Sequence, residues 1–148
     1  STQRNKQTNY QHKTNKSQTN FFTETFFSKQ TFKFEIKHFF TNMVQHLKTL
    51  EDYELFLKEN KKVAIDFTAT WCPPCQYIGP KFVALAEEFP DVVFVKIDVD
   101  ENSETSDGKC GITAMPTFHF IKDGEKVDEL IGASEDKLKE KIKGLDDM

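Results

Sequence analysis

The stretch that decides the fold is residues 66–75, "DFTATWCPPC", where two cysteines are separated by two prolines. The apolar run "KVAIDF" at 62–67 leads into it and is typical of a buried central strand. A pattern of apolar residues at helical spacing follows it through position 89, which predicts a helix that begins near Pro73. Cys72 is therefore expected where the strand ends and the helix begins.

Outward from this stretch, helical and strand-like patterns alternate and then give way to a hairpin. The Asp123-Gly124 pair is a strong signal for a tight turn between two strands. The predicted elements are a helix at 50–60 with Thr49 as N-cap, a buried strand at 92–100, a short helix, strands at 117–122 and 125–132, and a final helix capped by Ser134. Alternation followed by a hairpin predicts an α/β fold with a mixed sheet flanked by helices.

The first 42 residues differ in composition from the rest of the chain. They contain eighteen Thr, Asn and Gln, eight Phe, and no Gly, Ala, Pro, Leu, Val or Asp. They carry a formal charge of +5, whereas residues 43–148 carry −9. We interpret 1–42 as a disordered extension or as translated upstream sequence with the native start at Met43, and 43–148 as one domain.

Charge and cysteine content exclude several classes of function. The acidic balance of residues 43–148 argues against nucleic acid as the main partner. No apolar run approaches the ~18 residues of a membrane span. The three cysteines, Cys72, Cys75 and Cys110, are too few and odd in number for a small secreted disulfide scaffold.

Three chemistries compete for Cys72 and Cys75. A zinc site needs four ligands, and the sequence offers no second close pair, so no metal is expected. A purely structural disulfide across two residues closes too small a loop to stabilise the fold much. A redox dithiol is favoured, because Cys72 precedes a helix whose unpaired N–H groups and dipole stabilise a thiolate.

The two prolines fit the start of that helix. Pro73 falls in the first turn, where a missing N–H is harmless and a fixed φ suits the helix. We expect the prolines to stiffen the loop and to leave both cysteines exposed and close together.

Several separated motifs resemble those of the thioredoxin family over about Met43 to the end. They are "DFTATWCPPC", the lysine of "VKIDVDEN", "AMPTFHFIKDGEKV" and "LIGA", and their wording is most similar to eukaryotic cytosolic members, including the plant h-type group. The commoner family motif is WCGPC, so Pro73 is a departure. The resemblance implies a thioredoxin fold, with helices on both faces of the mixed sheet.

The resemblance also implies roles for individual residues. Cys72 would attack a target disulfide, and Cys75 would resolve the mixed disulfide. Asp66, which interrupts an apolar strand, would be the acid/base for Cys75, with Lys96 nearby. Pro116 would be a cis-proline facing the dithiol. The residues that would shape the site or bind substrate are Trp71, Pro73, Pro74, Met115, Pro116, Gly132 and Lys96.

Other notable residues receive more ordinary interpretations. Cys110 is either a small apolar residue or a regulatory thiol open to oxidation. His119 alternates with Phe118 and Phe120 along a strand, so we interpret it as structural or exposed rather than catalytic. Pro80 is expected to kink its helix.

The expected function is that of a cytoplasmic, monomeric protein-disulfide reductase acting in cell redox homeostasis. By resemblance it would need no bound cofactor and would receive electrons from NADPH through a separate thioredoxin reductase. Its targets would be disulfide-containing proteins such as peroxiredoxins. The alternatives are a redox-inert binding module of the same fold, and a disulfide isomerase or oxidase.

Overall fold

A computed structural model describes residues 44–148, which form a five-stranded sheet with helices on both faces. The interpretation of residues 1–42 lies outside the described residues. The elements are β1 (Gln45–His46), α1 (Leu50–Glu59), β2 (Lys62–Thr68), α2 (Pro73–Glu88), β3 (Val93–Asp98), a π-helical turn (Glu104–Lys109), β4 (Thr117–Lys122), β5 (Glu125–Ile131) and α3 (Glu135–Asp146).

The strand order is β1-β3-β2-β4-β5, so β2 lies at the centre of the sheet. It pairs parallel with β3 and antiparallel with β4, and β5 closes the hairpin on the far edge. The predicted mixed sheet is therefore confirmed. Strand β1, two residues at the other edge, was not predicted because so short an edge strand carries no alternating pattern.

Each face of the sheet buries its own apolar cluster. Alternate residues of β2 divide between the two, with Val63, Ile65 and Phe67 packing on the α1 side. Ala64 packs on the other side with residues of α2 and α3, such as Phe82 and Ile142. The arrangement leaves the end of β2 and the start of α2 at one edge of both clusters, where the two cysteines lie.

Local signals placed most helix boundaries correctly. Thr49 caps α1, accepting a hydrogen bond from the Asp52 N–H at 3.0 Å. Ser134 occupies the N-cap position of α3, but its side chain makes no capping hydrogen bond, so that part of the prediction is wrong. The expected short helix after β3 is a π-helical turn, which differs from an α-helix in the hydrogen-bond spacing.

Candidate active site

Cys72 and Cys75 form a disulfide at the start of α2. Their sulfurs are 2.07 Å apart, and Cys72 is the N-cap of the helix. Pro73 and Pro74 occupy the first two helical positions, as the sequence predicts. The N–H of Cys75 points at the Cys72 sulfur, 3.3 Å away, so a backbone donor is in place to stabilise negative charge on Cys72.

The expectation that both cysteines are exposed is wrong. Cys72 is 4% exposed and Cys75 is 2% exposed, because they pack with Ala69 and with the partly buried Val99 and Met115. The two prolines between them are exposed instead. The two sulfurs are therefore covered by neighbouring side chains rather than open to solvent.

Two hydrogen bonds hold the segment that precedes Cys72, and sequence reasoning missed the roles of Asp100 and Gln76 in them. The Trp71 indole N–H donates to Asp100 Oδ2 at 2.7 Å, and the Gln76 side-chain amide donates to the Thr70 carbonyl at 2.7 Å. Asp100 follows β3, whose carboxyl end lies beside that of β2 in the parallel pair, and this adjacency was the available signal. No sequence pattern indicated Gln76.

Trp71 itself is 62% exposed, so it is not an aromatic residue of the core. It stands immediately before Cys72, and its indole is fixed by Asp100 rather than by packing in the interior. An exposed and oriented aromatic beside a reactive sulfur offers apolar surface to an approaching partner.

Asp66 lies in the middle of β2 and is fully buried. It shares a sheet face with Ala64, two residues earlier, and so points toward the side covered by α2. Neither carboxyl oxygen has a hydrogen-bond partner among residues 44–148. Burial raises the pKa of Asp66 from 3.8 to about 7, opposed by the charge of Lys96.

Lys96 is the partner of Asp66 in the β2–β3 register. Its ammonium lies beneath α2, about where a side chain on Gly79 would begin, since a Cβ there would be 3.4 Å from the Lys96 Nζ. The two residues are neighbours under the helix that carries Cys75, as the resemblance implied. The Asp66 carboxyl forms no direct ion pair with Lys96.

The opposite wall of the site is formed by the segment before β4 and the end of β5. The Met115–Pro116 peptide bond is cis, as the resemblance implied, and Met115 packs against the two cysteines. Gly132 has a φ of +99°, and its N–H donates to the Pro116 carbonyl at 2.9 Å. Gly132 is therefore part of this wall through its backbone.

Cys110 and His119 belong to the other side of the sheet. Cys110 is a free, half-buried thiol that packs on the α1 cluster, with its sulfur 3.6 Å from the Tyr53 hydroxyl. Burial raises its pKa, which makes it a weak nucleophile. His119 is buried edge-on against Phe67, as expected for a structural residue, and burial lowers its pKa.

Within residues 44–148, no group of three or more His, Cys, Asp and Glu side chains is arranged to hold a metal ion. The same described part of the chain contains no helix long and apolar enough to cross a membrane.

Comparisons with known proteins agree on one family. The Thioredoxin family model matches residues 44–144. A thioredoxin from Geodia cydonium is 54% identical over 104 residues, which cover 68% of this chain and 97% of the relative. An H-type thioredoxin from Picea mariana is 52% identical over 83 residues, covering 56% of this chain and 66% of the relative.

Solved structures extend this agreement to the fold. One match comes from work on the thiol resolving mechanism in yeast mitochondrial 1-Cys peroxiredoxin via glutathione/thioredoxin systems. The chain solved in that work is 39% identical to this one, with a TM-score of 0.66. The match covers 70% of this chain and 97% of the solved chain.

Proposed function

The chain belongs to the thioredoxin family of thiol-disulfide oxidoreductases, and we propose that Cys72 and Cys75 carry its protein-disulfide reductase activity. The observation that carries this assignment is the placement of the two cysteines at the start of α2. Cys72 caps the helix, forms a disulfide with Cys75, and receives the Cys75 N–H. A thiolate formed at Cys72 is stabilised there and is the attacking species in thiol–disulfide exchange.

The reaction starts from the reduced dithiol. The Cys72 thiolate attacks one sulfur of a target disulfide, which breaks that bond and releases the other target sulfur as a thiolate that takes up a proton. The Cys75 thiolate then attacks the Cys72 sulfur of the mixed disulfide. This second exchange releases the remaining target thiol and leaves the Cys72–Cys75 disulfide, so two electrons pass to the target.

Asp66 is assigned the proton transfer that frees the Cys75 thiolate. A general base works best when its pKa lies near the operating pH, and burial raises the pKa of Asp66 to about 7. Its position on the α2 side of β2 supports this role, as does the absence of a hydrogen-bond partner among residues 44–148. Lys96 limits the rise of the Asp66 pKa, so that the carboxyl still ionises near neutral pH.

Substrate binding is assigned to the surface around the disulfide. Trp71, Pro73 and Pro74 are exposed on the α2 side, and Met115 and Pro116 form the opposite wall with the Gly132 backbone. An extended segment of a target pairs its backbone with this wall and places its sulfur over Cys72.

Members of this family need no bound cofactor, because the two sulfurs are the redox centre. For this chain we assign NADPH as the electron source through a separate thioredoxin reductase. Disulfide-containing proteins are its targets, and peroxiredoxins are supported by the topic of the yeast work above. Residues 43–148 are assigned as the functional domain, acting as a monomer in the cytoplasm, without nucleic acid or membrane as partners.

Two alternatives are less well supported. A redox-inert binding module needs neither the Cys72–Cys75 pair nor a buried carboxyl of raised pKa on the α2 side of β2. A disulfide isomerase or oxidase favours a strongly stabilised thiolate. Here Pro73 and Pro74 remove two backbone N–H groups from the first turn of α2, which leaves fewer donors for that purpose.

Insulin reduction driven by NADPH and a thioredoxin reductase tests the proposal. The wild-type protein is expected to accelerate precipitation of the reduced insulin chain, and Cys72→Ser is expected to abolish the acceleration. Cys110→Ser is the matched control, since that thiol lies on the other face of the sheet, and it is expected to remain active. Undiminished activity in Cys72→Ser would overturn the assignment.

A further inference from the structure

Gln76 is the residue after Cys75, and its side chain reaches back to the segment before Cys72. Its amide donates to the Thr70 carbonyl at 2.7 Å, although the backbone N–H of Gln76 already bonds to the Cys72 carbonyl within the helix. The side chain is exposed, so it is not held there by packing. One polar contact therefore connects the first turn of α2 to the segment before Cys72.

The Thr70 carbonyl lacks its ordinary backbone donors. A carbonyl at the start of a turn or helix accepts from the N–H three or four residues later. For Thr70 those positions are Pro73 and Pro74, and neither has an N–H. The preceding carbonyl, that of Ala69, does receive such a bond, from the Cys72 N–H at 3.3 Å.

We propose that Gln76 is a positioning residue for the exchange reaction, whose side chain replaces the backbone donor that Pro73 and Pro74 remove. It fixes the Thr70 carbonyl and so holds the short segment that carries Trp71 and Cys72. This inference rests on the proposed role of Cys72 as the attacking thiolate. It also connects Pro73 with Gln76. The side chain of Gln76 supplies to the Thr70 carbonyl the hydrogen bond that the N–H missing from Pro73 cannot supply.

The expected size of the effect of removing this contact is that of one neutral hydrogen bond. Loss of a neutral hydrogen bond costs about 1 kcal/mol, which corresponds to about a fivefold change in a rate or equilibrium constant. A small displacement of the attacking atom is sufficient to produce such a change in rate. Gln76 does not touch the reacting sulfurs, so a larger effect is not expected.

A double-mutant cycle tests the proposal with Gln76→Met, which keeps side-chain length without a donor, and Pro73→Gly, which restores a backbone N–H. Two quantities are measured in each variant: hydrogen exchange of the Cys72 amide in the oxidised protein, and the single-turnover rate constant for reduction of insulin disulfides. Gln45→Met is the control, because Gln45 is the only other glutamine in residues 44–148 and lies exposed on β1.

In the wild-type background, Gln76→Met is expected to speed Cys72 amide exchange and to slow insulin reduction, each about fivefold. In the Pro73→Gly background both effects are expected to shrink below about twofold, because the restored backbone N–H at that position can donate to the Thr70 carbonyl. Equal effects in both backgrounds would overturn the proposal. So would a lowered Tm with unchanged exchange and rate, since that marks a purely structural contact.

The same experiment separates this proposal from the proposed function. Amide exchange is measured on the oxidised protein and does not depend on activity. If wild-type protein fails to reduce insulin while the exchange cycle gives the expected pattern, the reductase assignment fails and the contact between Gln76 and Thr70 stands. If insulin is reduced but the exchange cycle shows no coupling, the assignment stands and the role of Gln76 is refuted.

Discussion

Replacing Asp66 with asparagine is expected to make the oxidised protein more stable at neutral and alkaline pH. Asp66 is fully buried without a hydrogen-bond partner among residues 44–148, so its ionised form is costly in the folded state. Asparagine has nearly the same shape and carries no charge at any pH. The substitution therefore removes the cost of ionisation while leaving the packing of β2 in place.

The size and sign of the effect follow from the pKa of Asp66. It rises from 3.8 to about 7 on folding, chiefly through burial. At about 1.4 kcal/mol for each unit of pKa, this rise corresponds to about 4 kcal/mol in the free energy of unfolding. Because the folded pKa is the higher one, the folded state binds the Asp66 proton more tightly than the unfolded state does. This tighter binding adds to the free energy of unfolding in full below about pH 4. The contribution is lost as pH rises to about 7, above which the loss levels off.

Urea unfolding of the oxidised proteins between pH 4 and pH 8.5 measures this difference. The free energy of unfolding of Asp66→Asn minus that of wild type is expected to grow by about 4 kcal/mol across the range. Asp91→Asn removes a charge at an exposed site and serves as the control. A difference that stays flat with pH, or that shrinks as pH rises, would refute the reasoning.

Three further predictions concern the core, a second titrating group and the extension. Phe82→Ala is expected to lower the free energy of unfolding by about 3–5 kcal/mol in urea, because Phe82 is fully buried against Phe94 and Phe118. The pKa of His119 is lowered by burial and by Lys126, against the opposing Glu129, so the stability of wild type relative to His119→Phe is expected to fall as pH drops below about 6.5. Equal losses would show that His119 is not responsible. Deletion of residues 1–42 is expected to leave insulin reduction unchanged, and a clear loss of activity would give those residues a role.

Local rules accounted for much of the fold. Asp123 and Gly124 have φ values of 50° and 84°, as a tight hairpin turn requires, and the dipeptide alone predicted this. The buried run of β2 and the proline at the first position of α2 are likewise short-range signals. They succeed because each depends on the conformational preference of one or two residues.

The parts that sequence did not predict depend on contacts between distant residues. Cys72 is buried because Met115 and Val99 pack against it, and neither is near it in the chain. The bond from Trp71 to Asp100 spans 29 positions. Buried Asp66 was recognised as unusual because a carboxyl interrupts an apolar strand, but only the structure shows that its oxygens have no hydrogen-bond partner within residues 44–148.

The order of the two exchange steps is the central claim, and trapping the mixed disulfide tests it most directly. The variants Cys75→Ser and Cys72→Ser are each incubated in reduced form with an insulin disulfide, and the intact masses are measured. Cys75→Ser is predicted to accumulate the adduct through Cys72, and Cys72→Ser is predicted to accumulate none. An adduct that forms on Cys72→Ser through Cys75 would contradict the account.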